Sequence, residues 1–313
     1  MKYFLILAFI TTVLAFSSNR EIQLKWNNFK KVYQKTYTKH EDMKRMEIFQ
    51  ENVRKIEKHN KLFEENKVTY KMSINQFTDM TSKEFLQNLN TRKVVTTKYR
   101  RPSGSNVPEQ IDWREKGAVT PVKNENTCAS WAFGVVGSLE GQNFLTNGKL
   151  VALSDQELAD CVSGGCTGGS VEAGYEYVKE NGIAAAKDYP SDVTNGTCRR
   201  GSVPSTVEIS DYVFISGDEE ALKEAVATIG PISVEVDATS WAFYTGGILK
   251  SQDCTSVPNH VVLVVGYGTL DGADYWLIKN SWGVNWGEEG YIKLARNTDN
   301  NCGITSHPSY PVL

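Results

Sequence analysis

The sequence of 313 residues has no cysteine pair spaced C-x-x-C, has only four histidines and carries a net charge of −3. The missing C-x-x-C spacing argues against a zinc site. The small net charge argues against a protein that holds nucleic acid by electrostatic attraction. Apart from one apolar stretch at the N-terminus there is no long hydrophobic run, which excludes a polytopic membrane protein. We expect no metal, no cofactor and no nucleic-acid partner.

Charged residues and cysteines are distributed unevenly between two parts of the sequence. Residues 1–106 hold 21 Lys and Arg against 10 Asp and Glu, whereas residues 107–313 hold 13 against 27. All the cysteines lie in the acidic part: Cys128, Cys161, Cys166, Cys198, Cys254 and Cys302. The chain therefore consists of a basic segment followed by a cysteine-containing acidic domain.

The N-terminus indicates the compartment. Lys2 precedes an apolar run from Tyr3 to Phe16, in which Val13 and Ala15 have the spacing of a signal-peptidase site. This pattern predicts a signal peptide at 1–16, a secreted or lysosomal protein, and no membrane contact after cleavage. An even cysteine number in an oxidising compartment favours three disulfides, whose pairing this argument leaves open. Asn195, in Asn-Gly-Thr, is a candidate glycosylation site.

Hydrophobic periodicity predicts an α+β protein. Helices are predicted at 21–33, 41–60, 130–144, from Ser154 with a capping box to Glu157, and at 171–181. Strands are predicted at 70–79, 232–236, 260–267, 274–279 and 291–295, and residues 91–106 as an exposed, cleavable linker. A helical half followed by a strand-rich half predicts two subdomains with a ligand-binding cleft between them.

Several motifs together resemble the papain-like cysteine proteases, most nearly the cathepsin L type. In the acidic domain these motifs lie at 112–123, 128–133, 165–169, 259–260 and 280–283. In the basic segment, the helix motif of cathepsin L-type propeptides is matched by Glu41, Arg45, Phe49, Asn52, Ile56 and Asn60. A second propeptide motif is matched by Asn75, Phe77 and Asp79.

The resemblance implies a zymogen with a papain-like fold of two subdomains. The domains would be a signal peptide at 1–16, an inhibitory propeptide with its linker at 17–106, and a peptidase domain at 107–313. The implied disulfides are Cys128–Cys166, Cys161–Cys198 and Cys254–Cys302. The implied catalytic base is His260, oriented by Asn280. Substrate-binding residues would be Gly168, Gly169 and Asn259, with Trp282 shielding the His–Asn pair.

The nucleophile of the family is missing. The segment Asn124–Ser130 is one residue shorter than in the family. Ser130 directly precedes Trp131 and so occupies the position at which the reactive cysteine is expected. The implied disulfides use all the cysteines. Three interpretations of Ser130 remain: a helix-capping serine, the nucleophile of a Ser-His-Asn site, or a neighbour of a cysteine that the determined sequence omits.

A second departure concerns the oxyanion. The resemblance implies that Glu125 replaces the glutamine whose amide donates to the developing negative charge. Losing one such donor lowers the rate by about 10²–10³-fold. An ionised carboxylate would add repulsion unless low pH protonates it.

The sequence therefore predicts a peptidase homologue with impaired or absent catalysis that binds peptides or cystatin-like inhibitors in its cleft. The alternatives are an active cysteine endopeptidase, a weak hydrolase that uses Ser130, and a structural or storage protein. Because the basic segment opposes an acidic domain, we also expect charge attraction to hold the propeptide on the cleft and low pH to weaken it.

Overall fold

The computed structural model describes residues 20–89, 99–100, 107–125, 129–165, 169–191, 196–201, 203–216, 218–250, 254, 257–298 and 301–313. The predicted signal peptide and most of the linker lie outside these residues, as do Cys128, Cys166, Gly168 and Asn195. In the described part of the chain, no helix combines the length and the apolar character needed to cross a bilayer.

The basic segment begins with three helices and a short strand. They are α1 (20–32), α2 (Lys39–Glu64), β1 (Tyr70–Met72) and α3 (Ser82–Gln87). The predicted helices are confirmed, and α2 begins earlier than predicted because Thr38 caps it, its hydroxyl accepting from Glu41 N. The predicted strand at 70–79 is wrong beyond Met72. There the chain forms a turn, in which the Thr78 hydroxyl accepts from Asn75 N at 2.9 Å.

The motif residues on α2 bind other residues of the basic segment. The Asn52 amide donates to the carbonyl oxygens of Thr78 and Met80, at 2.9 and 2.8 Å. Arg45 donates to the Asp79 carbonyl oxygen at 3.0 Å and forms a salt bridge with Glu84. The polar motif positions of α2 thus hold the turn that follows β1.

In the residues of the acidic domain that the structure describes, four further α-helices follow: α4 (Ser130–Asn147), α5 (Asp155–Cys161), α6 (Val171–Asn181) and α7 (Glu219–Thr228). The predictions for the first three are confirmed. The capping box at α5 is only half formed. The Ser154 hydroxyl accepts from Glu157 N, but Ser154 N donates to the Ala184 carbonyl, and the Glu157 carboxylate accepts from Ala184 N.

The strands form one sheet. After β1 they are β2 (Tyr99–Arg100), β3 (Ile111–Asp112), β4 (Asp211–Ile215), β5 (Ile232–Val236), β6 (Tyr244–Leu249), β7 (His260–Leu270), β8 (Ala273–Lys279), β9 (Tyr291–Ala295) and β10 (Ser309–Val312). Their order is β1-β6-β9-β8-β7-β5-β10-β4-β2, and β3 also pairs with β7. The basic segment thus supplies both outer strands. The linker, predicted to be exposed throughout, pairs in parallel with β4 through β2.

Two hydrophobic cores confirm the predicted two-subdomain, papain-like α+β architecture. One core surrounds α4 to α6 and includes Leu139 and Tyr175, and the other lies on the sheet and includes Trp241 and Trp276. Two disulfides are formed as expected, Cys161–Cys198 and Cys254–Cys302. The first joins the end of α5 to a part of the chain that is distant in sequence. The second does the same for the loop before β7.

Candidate functional site

Helix α4 places Ser130 at the junction of the subdomains. A Cβ atom on Gly134 would lie 2.5 Å from Val261 Cγ1, and one on Gly137 would lie 2.8 Å from Leu263 Cδ2, so this face of α4 lies directly on β7. Ser130 precedes Gly134 by one helical turn on the same face. His260, the first residue of β7, directly precedes Val261 in the strand on which this face of α4 lies.

Ser130 is not a helix cap. The N-cap position of α4 belongs to Ala129, which makes no side-chain capping bond, and Ser130 is the first helical residue. Its hydroxyl is buried and has no hydrogen-bond partner in the described part of the chain. The capping interpretation is therefore wrong.

His260 and Asn280 form the expected pair. His260 Nε2 lies 2.8 Å from Asn280 Oδ1, and both side chains are buried. The Trp282 ring packs on the imidazole at a centroid distance of 4.8 Å, so it shields the pair as predicted. Trp131 and Trp286 are buried in the core.

The imidazole is neutral in this environment. Burial lowers the pKa of His260 to about 4, and the hydrogen bond to Asn280 opposes the shift only partly. Because Asn280 Oδ1 can only accept, Nε2 carries the proton and Nδ1 presents a lone pair. Nδ1 is buried and unpartnered among the described residues. The site thus holds a neutral base.

Glu125 binds the loop after β8. Its carboxyl group accepts from the Ser281 hydroxyl at 2.5 Å and from the Trp282 indole N–H at 3.2 Å. Its backbone N–H donates to the Ser281 carbonyl oxygen at 2.6 Å. Burial raises the pKa of Glu125 to about 8 against these hydrogen bonds. The repulsion expected from an ionised carboxylate is therefore largely absent at neutral pH.

Two residues to which the resemblance assigns substrate binding, Gly169 and Asn259, lie in different environments. A Cβ atom on Gly169 would lie 2.2 Å from Trp131 Cε2, so only glycine fits against that indole. Asn259 uses its amide in the neighbouring loop: it donates to Asp237 and Thr239 and accepts from Ala238 N. Its side chain therefore holds this loop rather than reaching towards a ligand.

The basic segment covers the site through Trp282. Phe77 and Phe85 pack edge-on against its ring, at centroid distances of 5.3 and 5.6 Å. The Gln76 amide donates to the Trp282 carbonyl oxygen at 2.8 Å, and the Asn75 amide donates to the Ala242 carbonyl oxygen at 2.7 Å. The segment therefore sits directly over the residue that shields His260.

These contacts give the attachment a basis besides the expected charge attraction. The ion pairs formed between described side chains lie within the basic segment or within the acidic domain. The described contacts between the two parts include aromatic rings, amides and the strand pairs β1–β6 and β2–β4. Charge attraction between the two parts stays a prediction.

Sequence reasoning missed a buried polar network next to Asn280. Lys279 Nζ donates to the Thr120 hydroxyl at 2.9 Å, and that hydroxyl donates to Glu140 Oε2 at 2.5 Å. Burial lowers the pKa of Lys279 to about 8. The network joins β8 to α4 and so fixes the end of the strand that directly precedes Asn280. Its only sequence signal is a lysine at the end of an otherwise apolar strand.

Comparison with known proteins agrees with the geometry. Residues 107–312 match the papain family cysteine proteases, and residues 26–85 match the cathepsin propeptide inhibitor domain. A cathepsin L-like peptidase of Aedes aegypti is 40% identical over 99% of this chain and 98% of its own length. Cathepsin S of Mus musculus is 44% identical over 92% of this chain and 90% of its own length.

Solved proforms show the same fold. Digestive procathepsin L 3 from the larval midgut of Tenebrio molitor superposes with a TM-score of 0.88 at 41% identity, covering 93% of this chain and 99% of that one. A recombinant stem bromelain precursor superposes with a TM-score of 0.87 at 36% identity, covering 94% and 99%. The chain belongs to the papain family of cysteine proteases and has cathepsin L homologues and a cathepsin-type propeptide domain.

Proposed function

We propose that this protein is a cathepsin L-like peptidase homologue with impaired or absent catalysis, which binds peptides or cystatin-like inhibitors in its cleft. The single observation that carries the proposal is the hydroxyl of Ser130 as the first residue of α4, the position at which the resemblance implies the reactive cysteine. The described cysteines, Cys161, Cys198, Cys254 and Cys302, are all in disulfides. The resemblance assigns the other two to a third disulfide.

A hydroxyl is a poor replacement for the thiol here. A cysteine at a helix N-terminus beside a histidine ionises because the helix dipole and the imidazolium stabilise its thiolate. A serine stays protonated and must pass its proton to the base during attack. The imidazolium formed on His260 would be buried and backed only by the Asn280 amide, which carries no charge. We therefore infer slow turnover or none.

One observation favours a second candidate, a weak Ser-His-Asn hydrolase. With a pKa lowered to about 4 by burial, His260 is neutral at physiological pH, and its unpartnered Nδ1 is available as a base. A serine mechanism needs this protonation state at the start of the reaction. The candidate depends on the Ser130 hydroxyl reaching Nδ1 when a substrate binds.

The family setting supports the remaining assignments. We propose a signal peptide at 1–16, a propeptide with linker at 17–106 and a peptidase domain from residue 107. We propose a secreted or lysosomal location, glycosylation at Asn195 and peptide contacts from Gly168 and Gly169. If the domain cannot cleave the linker itself, another protease must process it.

The test uses protein processed in the linker by an added protease. We expect no turnover of fluorogenic peptides with a hydrophobic residue at the second subsite, no labelling by a thiol-directed epoxide, and retained binding of a cystatin. Epoxide labelling would establish a free cysteine and an active cysteine endopeptidase. Turnover lost in both Ser130→Ala and His260→Ala, without labelling, would establish the serine hydrolase. Failure to bind peptide or cystatin would leave a structural or storage role.

A further inference from the structure

The acidic domain holds a carboxylate–histidine pair that the site described above does not use. Glu235 Oε2 lies 2.9 Å from His307 Nδ1. Glu235 belongs to β5, and His307 stands just before β10. The two strands are antiparallel neighbours that pair through Ser233 and Ser309, so the two side chains meet across them. Because a carboxylate can only accept a hydrogen bond, Nδ1 carries the proton and donates it.

The Glu235–His307 pair lies beside the start of β7. Glu235 pairs with Val261 in the β5–β7 ladder, and the next residue, Val236, pairs with His260. Residues directly opposite each other in an antiparallel ladder point to the same face of the sheet. Glu235 therefore shares a face with Val261, which is the face on which α4 lies.

The contacts of α4 lead along this face towards the pair. A Cβ atom on Gly141 would lie 2.8 Å from Pro231 Cγ, just before β5 begins. Nearer the start of the helix, a Cβ atom on Gly134 would lie 2.7 Å from Ser233 Oγ. The line of contact thus moves along β5 towards Glu235 as the helix approaches its first residue.

Each member of the pair keeps one polar atom open. Glu235 Oε1 and His307 Nε2 make no hydrogen bond with the described part of the chain, and neither is one of its enclosed polar atoms. The His307 side chain is 20% exposed and the Glu235 side chain 4%. A ligand can therefore reach both atoms, entering past the histidine.

Both open atoms are acceptors. With its proton on Nδ1, the neutral imidazole presents a lone pair on Nε2, and the carboxylate oxygen only accepts. Within the described residues, the ion-pair partner of Glu235 is His307. A carboxylate with little solvent and one hydrogen bond is stabilised when a further donor reaches it, most of all a cationic one.

We propose that the Glu235–His307 pair lies in the wall of the cleft and binds an arginine side chain of the bound peptide. One guanidinium N–H donates to Glu235 Oε1 and another to His307 Nε2, because the planar fork of arginine offers both donors at once. An acidic side chain would find no donor there and would be repelled. The inference rests on the proposed binding of peptides in the cleft and names the side chain that the cleft selects.

The experiment uses protein processed in the linker and fluorescein-labelled heptapeptides of alanine and serine. One arginine is moved through the peptide positions, and each peptide is compared near neutral pH with its citrulline counterpart, which has the same shape without the charge. At one or more positions we expect arginine to bind about tenfold more tightly by fluorescence anisotropy, the effect of a hydrogen bond to a charged group. Glutamate at the same position should bind more weakly than citrulline.

Two variants assign the preference to the pair. Glu235→Gln keeps the shape of the side chain and should abolish the preference for arginine. His307→Lys, at the more exposed member, sets a permanent cation against Glu235 and should abolish it as well, which covers the case in which Glu235→Gln does not fold. Glu180→Gln, at an exposed position on α6, is the matched control and should retain the preference.

Binding of a cystatin, measured alongside, separates this inference from the proposed function. If the cystatin binds but no arginine peptide binds more tightly than its citrulline counterpart, the inference fails and the proposed function stands. If neither the cystatin nor any peptide binds, both fail. An arginine preference that persists in both Glu235→Gln and His307→Lys would place the recognition elsewhere and overturn the inference.

Discussion

The Ser281 hydroxyl lies 2.5 Å from Glu125 Oε2, next to the indole that shields His260. This contact joins the segment before α4 to the loop after β8. It gives Glu125 a role in holding that loop that does not require catalysis. Whether the carboxyl group is charged then affects the stability of the whole site.

The buried carboxyl group of Glu125 predicts a specific dependence of stability on pH. Its pKa is about 8 in the folded protein and 4.5 as an ordinary side chain. The folded protein therefore binds more protons between these values, and its stability falls as the pH rises through them. Glu125→Gln should be no more stable than the parent protein below pH 4.5. Near neutral pH it should be more stable, by on the order of 2 kcal/mol after allowance for solvent screening.

Urea denaturation across this pH range measures the difference. Glu115→Gln, at an exposed position, is the matched control and should follow the parent protein. Parallel stability curves for Glu125→Gln and the parent would contradict a raised pKa at Glu125.

The propeptide contact on Trp282 makes a second prediction. Phe85 is buried against that ring, whereas its neighbour Leu86 is 40% exposed. Phe85→Ala should cost about 3–4 kcal/mol of propeptide docking, as deletion of a buried aromatic ring usually does. Leu86→Ala should cost less than about 0.5 kcal/mol. Affinity of the separately produced propeptide for the processed domain gives both values. Equal losses in the two variants would show that the Trp282 contact is not central.

The Glu84 carboxylate makes the stability of the propeptide depend on pH in the acid range. The hydrogen bond from Arg45, with further bonds from Thr81, lowers the pKa of Glu84 to about 2. Its contribution is complete above pH 4.5 and is lost as the pH falls towards 2.

Arg45→Gln should remove most of this acid-dependent loss and leave a propeptide that is weaker at every pH. Pepsin digestion across the acid range measures this loss of propeptide stability. The control is Arg54→Gln, at an exposed position on the same helix. If Arg45→Gln kept the acid response of the parent protein, the salt bridge would not be its cause.

Local signals predicted some elements to the residue. Helix α6 was predicted at 171–181 and has these bounds: Ser170 caps its start, and Gly182, with a φ of +68°, ends it. Strand β5, with the sequence ISVEV, was predicted equally well from its Ile and Val residues. Such elements depend on neighbouring residues, so the sequence alone is sufficient for them.

Other elements depend on distant partners and were missed. Strand β6 contains Gly246 and Gly247, which are unusual in a strand. Gly247 is needed there because a Cβ atom would lie 2.6 Å from the carbonyl oxygen of Thr69 in the propeptide. Strands β4 and β10 pair with each other across most of the acidic domain, and nothing local in either one indicates that pairing.

The candidate site likewise has features that the sequence predicts and features that depend on the fold. The His260–Asn280 pair and its Trp282 shield were predicted from the motif and are confirmed. The protonation state of Glu125 was not predicted, because it depends on burial that only the fold creates. The place of Ser130 within α4 likewise depends on where the shortened segment lets the helix begin.

The central claim is that an alcohol stands where this family has a reactive thiol. Mass spectrometry after alkylation of the folded protein, repeated after full reduction, tests it most directly. We predict no labelled cysteine before reduction and labelling of only the six cysteines of the sequence afterwards. A labelled cysteine between Ser130 and Trp131 in the folded protein would contradict the account.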